Sequence, residues 1–194
     1  MGADLSQVKR VMGTDKRSEK SITQVLEARA QALEPYLKYL SCEADRALES
    51  MVFAIKGRCG AAESAGGKAL SGRDGVALKA AIERLGWGEN GFCSALLTPS
   101  AADPLCGRHL RYLIECIDPV VIITLDEEAS EAVVKAFLPE LDLSMWSPKN
   151  PTDAQGRLLV SVSNFEAALD SEVDKQRAWQ QLKQASRSEV LKRF

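Results

Sequence analysis

The sequence predicts an α/β fold: a three-layer α/β/α sandwich in which helices cover both faces of a mostly parallel four-stranded sheet. The clearest observation is the run from Pro119 to Leu125, which is apolar and β-branched until Thr124 and is typical of a strand buried on both faces. Before it, Cys106 to Ile117 carries apolar residues at helical spacing, and after it Asp126 can cap a second helix. Helix, buried strand and helix in succession are the repeating unit of such a sandwich.

The other elements follow the same alternation of strands and helices. The other predicted strands are Met51 to Ile55, Phe92 to Leu97 and Leu158 to Val162. A helix from Asp74 is expected to end at Gly86, and a terminal helix is expected from Asp174 to Arg193. The proline-containing segment from Leu138 to Gln155 is interpreted as a long connection, with a short strand near Leu143 to Trp146.

The first part of the chain has a different character. Apolar residues between Ser21 and Leu40 fall on one helical face, which Pro35 interrupts. We therefore expect an N-terminal helical extension over residues 1–45 and the α/β/α domain over residues 46–194.

Composition excludes several classes of protein. The 194 residues carry a net charge of −2, so no global field attracts the chain to nucleic acid or anionic lipid. No run approaches the roughly 18 apolar residues of a membrane span, and the polar N-terminus lacks the apolar stretch of a secretory signal, so a cytoplasmic location is expected. The five cysteines include no C-x-x-C pair, so we expect neither a disulfide framework nor a metal site or cofactor.

Four blocks occur in an order and spacing that are typical of one family. They are KGRCG at 56–60 with GRDG at 72–75, the second strand, Cys106 with DPVVIITL at 118–125, and SNFE at 163–166 followed by Leu169, Lys175 and Trp179. Between about Met51 and Leu182 the chain thus resembles the uracil-DNA glycosylase superfamily, most closely its iron–sulfur-type bacterial and archaeal enzymes. The resemblance implies a uracil-DNA glycosylase-like fold.

The resemblance also implies where catalysis should occur, and those positions are altered. The acidic residue of the family's first loop corresponds to Gly57, its uracil-reading asparagine to Ala95, and its histidine to Asn164. Glycine and alanine supply no polar group, and asparagine donates only neutral hydrogen bonds. Cys106 is the residue of this chain that matches a cluster cysteine of the family, and Pro99 occupies a neighbouring ligand position. One cysteine cannot hold a cluster that needs four ligands, so no iron–sulfur cluster is expected.

The leading hypothesis is therefore a diverged, non-catalytic relative that keeps a cleft for a base, a nucleotide or single-stranded nucleic acid, bound weakly. The expected ligand-binding residues are Gly57, Arg58, Gly60, Glu63 and Asn164, and the expected nucleic-acid contacts are Arg73, Lys175 and Lys183. Simpler interpretations remain open: the glycines preserve turns, Glu63 ties down its own loop, and the basic helix is a solvated face.

Two alternatives belong to other functional classes. The first is an active DNA glycosylase in which Glu63 or Asp74 acts with Asn164 as a relocated constellation. The second is a protein-interaction module that uses the N-terminal helices as its partner surface. The sequence leaves the oligomeric state and the identity of any partner open.

Overall fold

The computed structural model describes residues 51–87, 92–97, 104–137, 152–188 and 191, together with helical positions 24, 28, 31 and 32. The chain divides into two compact units, Met1–Glu34 and Pro35–Phe194, and the architecture given below is that of the second unit. The predicted boundary at residue 45 and the predicted strand near residues 143–146 lie outside the described residues. The predicted N-terminal helix is described only at the four helical positions, so that division of the chain stays a prediction.

One mixed sheet forms the middle layer. Its strands are β1 (Val52–Lys56), β2 (Cys93–Leu96), β3 (Val121–Thr124), β4 (Thr152–Ala154) and β5 (Arg157–Ser161). The spatial order is β2-β1-β3-β5-β4. Strands β2, β1, β3 and β5 are mutually parallel, and β4 pairs with β5 in the antiparallel direction.

The α/β fold is confirmed, including the four parallel strands, and the sheet carries a fifth strand that the sequence did not predict. The sheet has five strands, because the end of the predicted connection turns back as β4. Gln155 and Gly156 form the two-residue turn with φ values of 58° and 87°, and positive φ at both positions is what a tight hairpin with the sheet's twist requires. Gln-Gly lacks the usual Asn-Gly signature, so the sequence pattern did not predict this hairpin.

Among the described residues, the four longer helices lie where apolar periodicity predicts them, whereas two helices of four residues each were not predicted. They are α1 (Ala61–Ser64), α2 (Arg73–Leu85), α3 (Pro104–Ile117), α4 (Glu127–Phe137), α5 (Phe165–Ala168) and α6 (Glu172–Ala185). Gly86 ends α2 with φ of 69°, as predicted. The terminal helix ends at Ala185 rather than Arg193, and after it the Arg187 and Ser188 N–H groups donate to carbonyls three residues earlier, as in a 3₁₀ turn.

Helices cover both faces of the sheet. Side chains alternate along β1, so Val52 and Ala54 join the core beneath α2 and α6, together with Leu78, Ile82 and Leu182. On the opposite face, α4 packs against β1 and β3, and α3 packs against α4. Each large apolar side chain that is fully buried in these layers contributes about 1.5–3 kcal/mol to folding. None of the helices in the described ranges is long and apolar enough to cross a membrane.

The strand order also determines where a ligand would bind. From β1 the chain passes to β2 on one side, and it then returns to β3 on the other side of β1. Parallel sheets bind ligands beyond the carboxyl ends of the strands near such a reversal. The loops that follow β1, β3 and β5 are therefore the part of the molecule where function is expected.

Candidate functional site

A buried ion cluster lies at the carboxyl end of β1. Lys56 is 4% exposed, and its Nζ donates to Asp74 Oδ2 (2.5 Å), Glu166 Oε2 (2.8 Å) and Glu63 Oε2 (3.0 Å). The three carboxylates come from α1, α2 and α5. The cluster therefore joins three helices to the end of β1. We call these four residues the Lys56 cluster.

The charges of this cluster are held in place by mutual contact. Burial alone would lower the pKa of Lys56, but the hydrogen bonds to Asp74, Glu166 and Glu63 raise it well above its ordinary value. Burial would likewise raise the pKa of Glu63, yet the bonds from Lys56 and from the Leu70 N–H lower it. Lys56 is therefore a permanent cation at neutral pH and has no lone pair for nucleophilic chemistry.

Glu63 ties down its own loop, which is the simpler of the two interpretations offered for it. Its Oε2 accepts from the Gly60 N–H and its Oε1 from the Leu70 N–H, both at 2.9 Å. Asp74 is 2% exposed, and its two oxygens accept from Lys56 and from the Gly75 N–H. Neither carboxylate has an oxygen turned to solvent that would activate water, as a relocated general base requires.

The same carboxylates have the composition of a metal site. One oxygen each of Glu63, Asp74 and Glu166 lies within 4.8 Å of the others, and three carboxylate oxygens suit a hard cation such as Mg²⁺. The Lys56 ammonium, however, is hydrogen-bonded to all three residues and already supplies the positive charge. A metal ion would have to displace it, so the residues present do not fit a resident metal.

Gly57 marks the place where the family resemblance puts a catalytic acid, and that place is filled. A Cβ on Gly57 would lie 2.6 Å from Asp126 Oδ1 and 2.8 Å from the Ala129 nitrogen. The N–H groups of Gly57 and Arg58 donate to Asp126 Oδ2 (2.8 and 3.0 Å). These backbone donors are therefore occupied within the fold rather than offered to a phosphate.

Asp126 thus has a role that the sequence revealed only in part. Its Oδ1 accepts from the Ala129 N–H (2.8 Å), which confirms the predicted cap of α4. Its other oxygen holds the loop after β1, a contact between residues 69 positions apart. Gly60 is similarly enclosed, because a Cβ there would meet Glu166 Oε2 and, at 2.6 Å, Lys56 Nζ.

Asn164 lies in a different environment at the end of β5. It is exposed, has φ of 46°, and its side chain makes no capping hydrogen bond to α5 within the described residues. It lines a cavity of about 570 Å³ between the loop after β5, α5 and α6. The residues that line it are Val162, Ser163, Asn164, Ala167, Ala168, Asp174, Arg177, Ala178 and Gln181.

The predicted nucleic-acid contacts are mostly engaged in ion pairs. Arg73 binds both carboxylate oxygens of Asp170 (2.5 and 2.8 Å), and Lys175 lies 3.4 Å from Glu172. Lys183 is exposed on α6, and Arg58 pairs with Glu128. The pKa of Asp170 is lowered by the Arg73 guanidinium. A phosphate at Arg58, Arg73 or Lys175 would exchange with a carboxylate that the fold already supplies.

Two further positions from the family comparison lie away from these loops. Ala95 is inside β2, opposite Ile55 in the ladder, and is fully buried. It was expected to replace a residue that reads a base after the second strand, but a residue within the strand has no access to one. Cys106 lies within α3, and Pro99 lies outside the described residues.

The predicted site is therefore divided between two environments. Glu63 belongs to the Lys56 cluster and Gly60 donates a hydrogen bond to it, whereas Asn164 lines the separate cavity. Neither Lys56 nor Glu166 was predicted as a site residue from the sequence. One observation pointed to Lys56: it directly follows a buried apolar run, and a lysine buried at a strand end needs paired carboxylates.

Comparison with known proteins assigns no relationship. No protein-family model matches the chain, and a search of curated proteins gives no significant match.

Proposed function

We propose that the protein is a non-catalytic member of a uracil-DNA glycosylase-like α/β fold that binds a neutral nucleobase or nucleoside beside Asn164. The observation that carries the proposal is the cavity at the carboxyl end of β5, where the Asn164 side chain makes no capping hydrogen bond within the described chain. Its volume of about 570 Å³ is within the roughly 300–1,000 Å³ that small-molecule sites occupy.

The chemistry of the cavity wall suits a base edge. Asn164 and Gln181 line the cavity, and the amide of each side chain offers two donors and an acceptor oxygen. A nucleobase presents donors and acceptors in the plane of an otherwise apolar ring. The apolar side chains that line the cavity, such as Val162 and Ala178, supply contact for the ring faces.

The charges favour a neutral ligand over a phosphorylated one. Arg177 is the cation among the described lining residues, and it already pairs with Asp174 at 2.7 Å. A phosphate would have to compete with that carboxylate. The nearby strand ends also carry Asp126, Glu127 and Glu128, which repel the backbone of a polynucleotide.

Hydrolysis of an N-glycosidic bond is not supported by the arrangement of acids. The position that corresponds to the family's catalytic acid is Gly57, and Asp126 occupies the space around it. Glu63 and Asp74 are bound to Lys56. The cavity contains Asp174, but its carboxylate is paired with Arg177. We therefore expect binding without excision.

Titration calorimetry with uracil, uridine and uridine monophosphate tests the binding. We expect uridine to bind more tightly than the monophosphate. Asn164→Gly removes the amide while keeping a backbone that accepts positive φ, and it should weaken uridine binding about tenfold, the value of one hydrogen bond of ~1.4 kcal/mol. Gln155→Gly is the matched control, because Gln155 also has positive φ, 58°, but lies in the β4–β5 turn.

A second pair of variants separates the cavity from the rest of α6. Gln181→Ala removes a lining amide, whereas Gln180→Ala removes the neighbouring amide, which does not line this cavity. The proposal expects a loss of uridine affinity only for Gln181→Ala. Equal behaviour of the two variants, or no binding of any probe, would refute it.

Incubation with uracil-containing DNA tests the catalytic half of the proposal. We expect no abasic product from single- or double-stranded substrate. Uracil excision by the wild-type chain that is lost in Glu63→Gln would instead establish a relocated glycosylase centre.

A further inference from the structure

A second open groove lies between α2, α5 and α6, and Asn164 does not line it. Its volume is about 470 Å³, and Ala77, Ala80 and Ala81 form one wall. Trp179 and Leu169 contribute the larger apolar surfaces on the other side. Because alanine side chains are short, they leave a depression between these helices in which the side chains of another helix would fit.

The apolar surface of this groove continues beyond its walls. Val76 is 72% exposed, and it lies one helical turn before Ala80 on α2. Trp179 is partly buried, and the Arg84 guanidinium lies over its ring at 5.2 Å from the centroid. An exposed valine one turn before the alanine wall and a partly buried tryptophan in the groove are the kinds of side chain that partner proteins cover.

The charges of the groove have one sign. Among the described residues that line it, the charged ones are Arg84 and Lys175, both cations. Lys175 pairs with Glu172 of its own helix at 3.4 Å, and both side chains are substantially exposed. Such an i,i+3 pair contributes only ~0.2–0.5 kcal/mol, so a partner's carboxylate can replace Glu172 at little cost.

We infer that this groove binds an amphipathic, acidic helix of a partner protein. The lining positions from Ala77 to Arg84 span about 10 Å of α2, at roughly 1.5 Å per residue, so two to three turns of the partner are engaged. The partner's apolar side chains pack against the alanine wall and Trp179, as in other helix-in-groove complexes. Its carboxylates face Arg84 and Lys175.

Fluorescence anisotropy of the full chain with a labelled model helix tests this inference. The probe is an amphipathic Leu/Glu peptide of about 15 residues, long enough to form a helix on binding, and a Leu/Lys peptide of the same apolar pattern is its counterpart. We expect the acidic peptide to bind more tightly than the basic one. Ala80→Gln, at an exposed position of the wall, should weaken binding about fivefold by filling the groove.

The charge requirement has a matched control. Lys175→Glu reverses a charge in the groove, whereas Lys79→Glu makes the same reversal at an exposed position of α2 that does not line it. Lys175→Glu should weaken binding of the acidic peptide at least tenfold, and Lys79→Glu should weaken it less than twofold. Circular dichroism confirms that each variant is folded.

Three results would overturn the inference. The first is equal affinity for the acidic and basic peptides, and the second is an equal loss of affinity in the two charge-reversal variants. The third is displacement of the acidic peptide by self-association of the chain, seen as a dimer in light scattering, or by single-stranded DNA. These outcomes are independent of uridine binding, because Asn164 does not line this groove.

Discussion

The carboxyl ends of the parallel strands β1 and β5 lie at the same edge of the sheet, yet their polar groups are used in opposite ways. Beyond β1, the Lys56 ammonium is hydrogen-bonded to three carboxylates and the Gly57 N–H to Asp126. Beyond β5, Asn164 has a left-handed backbone conformation and a side chain without a capping hydrogen bond in the described chain.

The difference indicates which of the two loops, the one after β1 or the one after β5, can bind a ligand. Polar groups that the fold itself satisfies contribute to stability, and a ligand gains nothing from them unless it first breaks internal bonds. A side chain that the fold leaves exposed beside a cavity offers its hydrogen bonds to a ligand directly. The Lys56 cluster after β1 thus stabilises the fold, and the region after β5 is where we propose that a ligand binds.

The largest expected effect on stability comes from removing the cation of the Lys56 cluster. Lys56→Met has a similar volume but leaves buried carboxylates without a counter-charge, which costs about 3–5 kcal/mol of unfolding free energy. Urea denaturation at pH 7 measures the loss. The control is Lys79→Met on the exposed face of α2, for which we expect little change. A loss in Lys56→Met no larger than in this control would show that the cluster does not hold the loops.

The pH dependence of stability sharpens the same test. The folded pKa of Lys56 is raised above 10.5, so its contribution is complete below that pH and is lost as pH rises through the folded pKa. The folded pKa of Glu63 is lowered below 4.5, so its contribution is present above that pH and is lost as pH falls. In Lys56→Met, Glu63 is buried without its cation, and stability should instead rise as pH falls from about 7 to about 5.

A smaller loss is expected from Gly57→Ala. The new methyl group would lie within 2.8 Å of Asp126 Oδ1 and of the Ala129 nitrogen, so the loop must move away from α4, at about 1–3 kcal/mol. Gly57→Asp should destabilise the fold at least as much and should not create glycosylase activity, since Asp126 already occupies that space. Urea denaturation and the excision assay measure the two effects. Excision by Gly57→Asp would mean that this end of the sheet is still an active site in outline.

The sequence was sufficient for most of the fold because the relevant signals are local. Apolar runs placed β1, β2, β3 and β5 within one or two residues of their observed bounds, and Gly86 correctly ended α2. The exception among the described strands is β4, whose three residues carry no pattern of their own. It exists because the Gln155–Gly156 turn returns the chain to β5.

The candidate site was less predictable because its contacts join distant parts of the chain. Lys56 meets carboxylates 7, 18 and 110 residues away, and no local spacing connects them. The resemblance to the glycosylase family predicts site residues in the loops after β1 and β5. It treated Gly57 as a position that had lost a group, whereas Asp126, 69 residues later, fills the space.

The smallest expected effect tests whether the Lys56 cluster after β1 and the cavity after β5 are independent. Glu166 connects them: it follows Asn164 by two residues, yet its carboxylate bonds to Lys56. Because its side chain is 26% exposed and Lys56 keeps two other partners, Glu166→Gln should cost only about 0.5–1.5 kcal/mol in urea denaturation. Uridine affinity should change less than twofold, since Glu166 does not line the cavity. If uridine affinity instead fell as much as in Asn164→Gly, the Lys56 cluster would be holding Asn164 in its binding conformation. The cluster and the cavity would then form one functional unit.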